Sequence, residues 1–343
     1  MTCTINIHDT QNKKKIKIYG TLGPACRDPE ILKAMFQEGM DGIRLNLSHT
    51  TLDEAADLIE ICRRAAKECG VRPEILIDMQ GPELRIGDLK DPIRLMEGEL
   101  VEVNDIPFPK EVTEVLRDKT CGQEILLDDG KILLKTEEIG GEQDMKLRVI
   151  RGGLLENRKS VALPGCRIQT PAMTAADRTQ IRRAGEFGVT AVMQPFVRGP
   201  EDLMEVRHAL DQADGRDIRL LAKIENTEGI RRLEELIPHC DEIVIARGDL
   251  GNAMNLWELP AAQKRIAARC REAGRDFMVV TQMLDSMIHR QVPTRAEVSD
   301  IFNAVLDGAS SVMVTGETAA GEYPAEVIRF LSRTVQEAQA YLY

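Results

Sequence analysis

RLLAKIENTEGIRRLEELIPHCDEIVIARGDL, residues 219–250, decides the fold. Within it, 219–224 (RLLAKI) and 242–247 (EIVIAR) are short, nearly continuous apolar runs, and 226–236 is an amphipathic helical stretch between them. A half-exposed strand alternates apolar and polar residues; these runs do not, so they read as parallel strands covered on both faces. The unit repeats along the chain in both directions. Further runs lie at 16–22, 42–47, 74–80, 191–196, 276–282 and 310–316. Helical stretches at 29–39, 52–69, 174–187, 200–213, 258–273, 294–307 and about 325–342 alternate with them. Eight strand–helix units with right-handed crossovers predict an α/β fold of the (β/α)8 TIM-barrel type. An open, doubly wound sheet with a β excursion is the alternative.

One interval has a different texture. LVEV, EILLDDGKILLKT and MKLRVIR alternate and are broken by Gly and Asp, as antiparallel hairpins are. The reading is a small all-β domain at 86–162 inserted after barrel strand 3, with 1–85 and 163–343 forming the barrel. Removing the insertion leaves about 265 residues, close to the usual barrel of about 250. Composition agrees with one barrel plus an insertion: 343 residues, 43% of them hydrophobic, bury a sizeable core and exclude disorder. The net charge of −11 argues against nucleic acid or an anionic membrane as partner, so an anionic substrate must be met by local cations. No apolar run approaches transmembrane length, and no apolar stretch precedes the N-terminal lysines as in a secretory signal. Eight cysteines without a CxxC pair suit reduced thiols in a cytoplasmic protein.

Barrel chemistry sits at the carboxyl ends of the strands. There the sequence places Arg44, Asn46, Ser48 and His49 after strand 2, Asp78 to Arg85 after strand 3, and Lys223 and Glu225 on strand 5. Arg247, Gly248 and Asp249 follow strand 6, Thr281 and Gln282 strand 7, and Thr315 to Thr318 strand 8. Charges in apolar runs are costly unless paired or metal-bound. Lys223 and Glu225 are two apart and face the same side, with Asp249 at similar height on the next strand. Two carboxylates with room for ligand oxygens suit Mg2+ or Mn2+, and without His or Cys zinc is a poor candidate. Lys223 beside that ion would hold a phosphate or an enolate; a buried Lys–Glu–Asp ion network is the alternative. The Arg44, Asn46, Ser48 and Asp78 cluster offers a phosphate fork and oxygens for a monovalent cation, or simply a hydrogen-bonded rim. GDLGN (248–252) and TGETAAG (315–321) are strand-to-helix turns whose N–H groups are candidate anion seats. His49 is placed to reach a nucleotide phosphate, whereas His8, His208, His239 and His289 read as surface.

The segments RLNLSH (44–49), GPELR (81–85), LDDGKI (127–132), AKIENTEGI (222–230), ARGDLG (246–251), TQMLDSM (281–287), PTRAEVSD (293–300) and GETAAGEYP (316–324) resemble those of pyruvate kinases, in order, from about residue 14 to 340. The resemblance implies a barrel with a β lid inserted after strand 3, and the reaction phosphoenolpyruvate + ADP to pyruvate + ATP. It implies Lys223 stabilising the phosphoryl group and enolate, Glu225 and Asp249 ligating Mg2+ or Mn2+, and Arg44, Gly248, Asp249 and Thr281 meeting phosphoenolpyruvate. Asn46, Ser48, Asp78 and the Met79 carbonyl would hold K+, with Glu83 accompanying K+ dependence. Asn46, His49, Arg85 and Asp128-Asp129 would lie near ADP or ATP. The family's C-terminal regulatory domain has no counterpart in this sequence, so effector control is expected to be lost, and a homodimer through outer barrel helices is the expected assembly. Three positions depart from the family pattern: Ala176 stands at a lysine, Pro195 at a serine, and Met79-Gln80 at Thr-Lys. These erode the phosphate and nucleotide half of the site. Two other readings therefore stand beside the kinase: a Mg2+-dependent enzyme acting on the enolate of a 2-oxo acid without nucleotide, and a non-catalytic binding or regulatory homologue.

Overall fold

The computed structural model describes residues 15–117, 122–137, 146–166, 168 and 170–342. His8, Cys3 and Cys121 lie outside the described residues. Eight strands close into a barrel: β1 (Lys17–Thr21), β2 (Gly42–Asn46), β3 (Glu74–Asp78), β4 (Ala191–Gln194), β5 (Arg219–Ile224), β6 (Glu242–Ala246), β7 (Asp276–Val280) and β8 (Ser311–Val314). Every neighbouring pair is parallel, and β8 returns to β1. Closure excludes the open sheet. The seam is locked above the last ladder bonds, where Thr21 N donates to Thr318 Oγ1 at 2.9 Å and Thr318 Oγ1 donates to the Thr21 carbonyl at 3.0 Å.

The strands bury two faces, as their unbroken apolar runs require. Tyr19, Leu76, Met193, Leu221, Val244, Met278 and Met313 fill the barrel interior. Their sequence neighbours, such as Ile18, Ile77, Leu220, Ile243 and Val279, join the larger core under the outer helices. Because successive side chains alternate, Lys223 and Glu225 continue the inward series begun by Leu221. Seven of the eight strands end one or two residues before their apolar runs do, and two of them show why. β6 stops at Ala246 because Arg247 opens a helix, Arg247–Ala253; β7 stops at Val280 because Thr281 and Gln282 take positive φ of 76° and 54°.

Between β3 and β4 the chain forms antiparallel sheets. One orders 161–162, 124–127, 132–137, 146–151 and 100–102, and a second pairs 93–95 with 153–155. They carry a core of their own, with Ile125, Leu127, Leu134, Leu147 and Leu155 buried. This excursion is not all-β, as the sequence reading had it. Lys110–Arg117 is a helix whose first turn bonds back to the Pro109 carbonyl, from Val112 N at 3.0 Å and Thr113 N at 3.1 Å, and Val112 and Leu116, an i,i+4 apolar pair, are buried in that core. Among the described residues no helix is long and apolar enough to cross a membrane, and Cys26, Cys62, Cys69, Cys166, Cys240 and Cys270 are free thiols.

Candidate active site

The carboxyl ends of β2, β3 and β5 bring four charges into contact. Ladder register sets Asn46 beside Asp78 and Thr21 beside Arg44. The Arg44 guanidinium donates to Asp78 Oδ2 through Nε at 3.0 Å and Nη2 at 2.6 Å, and its Nη1 reaches Thr21 Oγ1 at 3.3 Å. Lys223 Nζ donates to the same Asp78 oxygen at 3.1 Å and lies 2.9 Å from Glu225 Oε1. The other Glu225 oxygen accepts the Phe196 N–H at 2.7 Å, an amide turned inward by a φ of 53° at Phe196. Asp78 is 2% exposed, and its Oδ1 is buried with no hydrogen-bond partner.

Burial and charge divide the acids of this cluster. Burial opposes ionisation of Asp78, but the Lys223 and Arg44 charges outweigh it and hold the carboxyl below its usual range. Burial likewise opposes the charged form of Lys223, and the Asp78 and Glu225 carboxylates overcome it, so the ammonium is held protonated. Glu225 goes the other way: burial, helped by the Asp249 and Asp78 charges, pushes it up to about 7 against Lys223. Burial also raises Asp249. Two carboxylates whose joint ionisation is penalised form a seat for a cation. Among the described residues no cluster of three or more His, Cys, Asp or Glu side chains is placed to hold a metal. Mg2+ is ordinarily held by one or two carboxylates plus ligand oxygens, so the pair suffices.

A cleft of about 1010 Å³ opens between this cluster and the β excursion. Arg44, Asn46, Ser48, His49, Asp78, Met79, Arg85, Lys223, Gly248, Asp249 and Thr281 all line it. Glu225 faces an adjoining pocket of about 450 Å³ that shares Asp249 and Glu83 with the cleft. Asp128 does not line the cleft. In the turn Asp128-Asp129-Gly130 all three residues have positive φ, and Asp128 points back to Lys131 and Lys159 at 3.1 and 3.2 Å. Its neighbour Asp129 faces the cleft instead. Glu83 pairs with Arg85 at 2.8 Å, and burial, the largest influence on it, raises its carboxyl.

In the TGETAAG turn the first amide is already taken by a carboxylate of the turn itself. The buried Glu317 carboxylate already accepts the Thr315 N–H at 2.7 Å and the Leu284 N–H at 3.2 Å. Of the departures, Gln80 and Pro195 line the cleft, whereas Ala176 is exposed in the first turn of helix Ala175–Arg183 and does not.

One positioning residue, Asp177, escaped the sequence reading, and a second, Arg247, was placed at the mouth without its partners. The Asp177 carboxylate accepts Gln80 N at 2.9 Å, Gly81 N at 3.1 Å and Thr174 N at 2.8 Å, fixing the turn after β3. Its signal was present in Thr174-x-x-Asp177, the spacing of a capping box. Arg247 binds Asp300 at 2.6 Å and donates to the Thr281 carbonyl at 2.7 Å, holding the turn that carries Thr281. A strand-end Arg sitting 34 residues before its carbonyl partner leaves no local pattern to read.

Comparison with known proteins agrees with this geometry. Residues 13–328 match the family model described as "Pyruvate kinase, barrel domain". A pyruvate kinase of Clostridium perfringens is 36% identical over 96% of this chain and 71% of its own length. One of Geobacillus stearothermophilus is 38% identical over 92% of this chain and 56% of its own length. One of Leishmania mexicana is 36% identical over 99% of this chain and 70% of its own length.

Proposed function

We infer the function from one premise: this chain belongs to the pyruvate kinase family. The proposed reaction is transfer of the phosphoryl group of phosphoenolpyruvate to ADP, giving pyruvate and ATP. The observation that carries it is the position of Lys223 Nζ, 2.9 Å from Glu225 and 3.1 Å from Asp78, in a cleft that Arg44, Asp249 and Thr281 also line.

In that reaction the P–O bond to the enol oxygen breaks as a bond to the ADP terminal oxygen forms. The enolate left behind takes a proton at its methylene carbon. The protein's part is placement and charge. Lys223, held protonated, lies beside the phosphoryl group and the enolate oxygen. Arg44 binds the phosphate through its fork, and Gly248, Asp249 and Thr281 contact the substrate. His49, Arg85 and Asn46 line the nucleotide side, joined by Asp129 alone of the Asp128-Asp129 pair. Glu225 and Asp249 would hold Mg2+ or Mn2+, which neutralises charge on the transferring group. The orphaned Asp78 Oδ1, with Asn46, Ser48 and the Met79 carbonyl, is an all-oxygen set suited to K+. The excursion at 86–162 acts as the lid that keeps water from the phosphoryl group.

Pro195 favours a second reading. Its ring lines the cleft where the family's serine would offer a hydroxyl, which leaves enolate chemistry without nucleotide as the competitor. One assay decides. ADP-dependent pyruvate and ATP formation with Mg2+, stimulated by K+, supports the kinase. Absence of ATP formation, with Mg2+-dependent exchange of pyruvate methyl protons, overturns it in favour of the second reading.

A further inference from the structure

A second basic pocket lies at the opposite, amino-terminal end of the barrel, with a volume of about 460 Å³. Four arginines line it: Arg207 on helix Pro200–Gln212, Arg216 in the turn before β5, Arg219 at the start of β5, and Arg275 just before β7. Two of them are engaged. Arg207 donates to the Ile218 carbonyl at 2.9 Å and to Asp241 at 3.1 Å, and the same Asp241 oxygen accepts the Leu220 N–H at 2.7 Å. Arg219 is held by Glu74 and by Glu242, the latter at 3.2 Å.

Arg216 and Arg275 differ. Neither has a carboxylate within 4 Å among the described residues, and Arg275 Nε is buried with no hydrogen-bond acceptor. A buried donor left unsatisfied costs about 1–3 kcal/mol, more for a charged group, so an acceptor supplied from outside is favoured. His239 adds a further donor at the rim, and the one opposing carboxylate without a partner of its own is the exposed Asp217. The turn bearing Arg216 is preformed: Asp214 takes a φ of 55°, and Gly215 N donates to the Leu210 carbonyl at 2.8 Å. In a chain of net charge −11, two unpaired guanidinium groups facing one cavity form a local positive well.

We propose that this pocket binds a small phosphate dianion, free or as a monoester, between Arg216 and Arg275. Guanidinium forks match phosphate oxygens two at a time, and a dianion matches two forks, whereas a monocarboxylate would satisfy only one. The site lies at the other end of β5 from Lys223 and is separate from the transfer reaction.

The test reads the arginine Nε–H resonances of the full chain at constant ionic strength. The Arg275 signal is assigned by its loss in Arg275→Gln. Inorganic phosphate and glycerol phosphate are titrated separately through the millimolar range, with chloride as control. A saturable shift of the Arg275 signal supports the site, and the tighter of the two titrants identifies the source. Arg216→Gln weakens the titrant by about tenfold, the scale of one charge-assisted hydrogen bond. A flat or linear response to both titrants, or the same affinity in Arg216→Gln, overturns the proposal.

Discussion

Gly248 faces Thr281 at the mouth of the barrel, and Gly248→Ala tests how tightly that mouth is built. A Cβ added to Gly248 would lie 2.9 Å from Thr281 Cγ2 and 3.7 Å from its Oγ1. Carbon atoms sit comfortably at about 3.5–4.0 Å, so one partner must move by roughly 0.6–1 Å. Thr281 has little freedom to yield: its φ is 76° and its carbonyl is gripped by Arg247 at 2.7 Å. Turning the side chain instead moves the hydroxyl. A displacement of 1 Å at a reacting centre costs about 10²-fold, so kcat/KM is expected to fall roughly 10–100-fold. Overpacking costs about 1–3 kcal/mol of stability. Thr281→Ser removes Cγ2 and keeps the hydroxyl, so alone it is close to neutral and in combination it restores room for the new methyl. Steady-state kinetics of the two single variants and the double variant, each with a denaturation curve, close the cycle. If the double variant is no better than Gly248→Ala alone, the clash is not the cause and the reasoning fails.

Lys223→Met removes the ammonium from between two buried carboxylates; kcat for pyruvate formation is expected to fall by at least about 10²–10³-fold, the scale of one preorganised charge donor, and a loss under tenfold would refute its assigned role. Asp78→Asn strips Arg44 and Lys223 of the carboxylate they share; denaturation is expected to show a loss of about 3–5 kcal/mol, and K+ stimulation is expected to vanish from the rate. Glu74→Gln tests the base of the barrel. Burial works to raise the Glu74 carboxyl, but the Lys17 and Arg219 charges and the Tyr19 hydroxyl hold it below its ordinary value of 4.5. A lowered carboxyl contributes stability that is full above pH 4.5 and is lost as pH falls through the folded value. Urea midpoints should therefore separate wild type and variant at pH 7 and converge below pH 4.5; a constant gap would contradict the assignment.

The barrel was legible because its strands are dry on both faces, so runs such as DEIVIA carry no alternation that confuses them with surface hairpins. The site was legible for the same reason: Lys223, Glu225 and Asp249 stand where apolar runs end, and a charge there demands a partner. What escaped depends on backbone turns and distant contacts. Nothing in Asp128-Asp129-Gly130 tells which carboxylate faces outward, since three positive φ values decide it. Glu317 looked like part of an open turn, yet its carboxylate closes on amides from two loops. Lys110–Arg117 was hidden among alternating strands because a two-turn helix shows a single i,i+3,i+4 set, Val112, Val115 and Leu116, too short to establish a period. Arg207, Arg216 and Arg275 share no sequence pattern and meet only because one helix and two turns end at the same rim.

Asp177 binds both ends of the excursion at once, Gln80 and Gly81 where it departs and Thr174 where it returns. The departing and returning ends thus share one anchor, so the intervening length adds little to the entropy of closing the ring, which grows only with its logarithm. That makes the barrel a host with a fixed socket: caps of different size are interchangeable there, and a short Gly-rich bridge in place of the cap should leave the host folded.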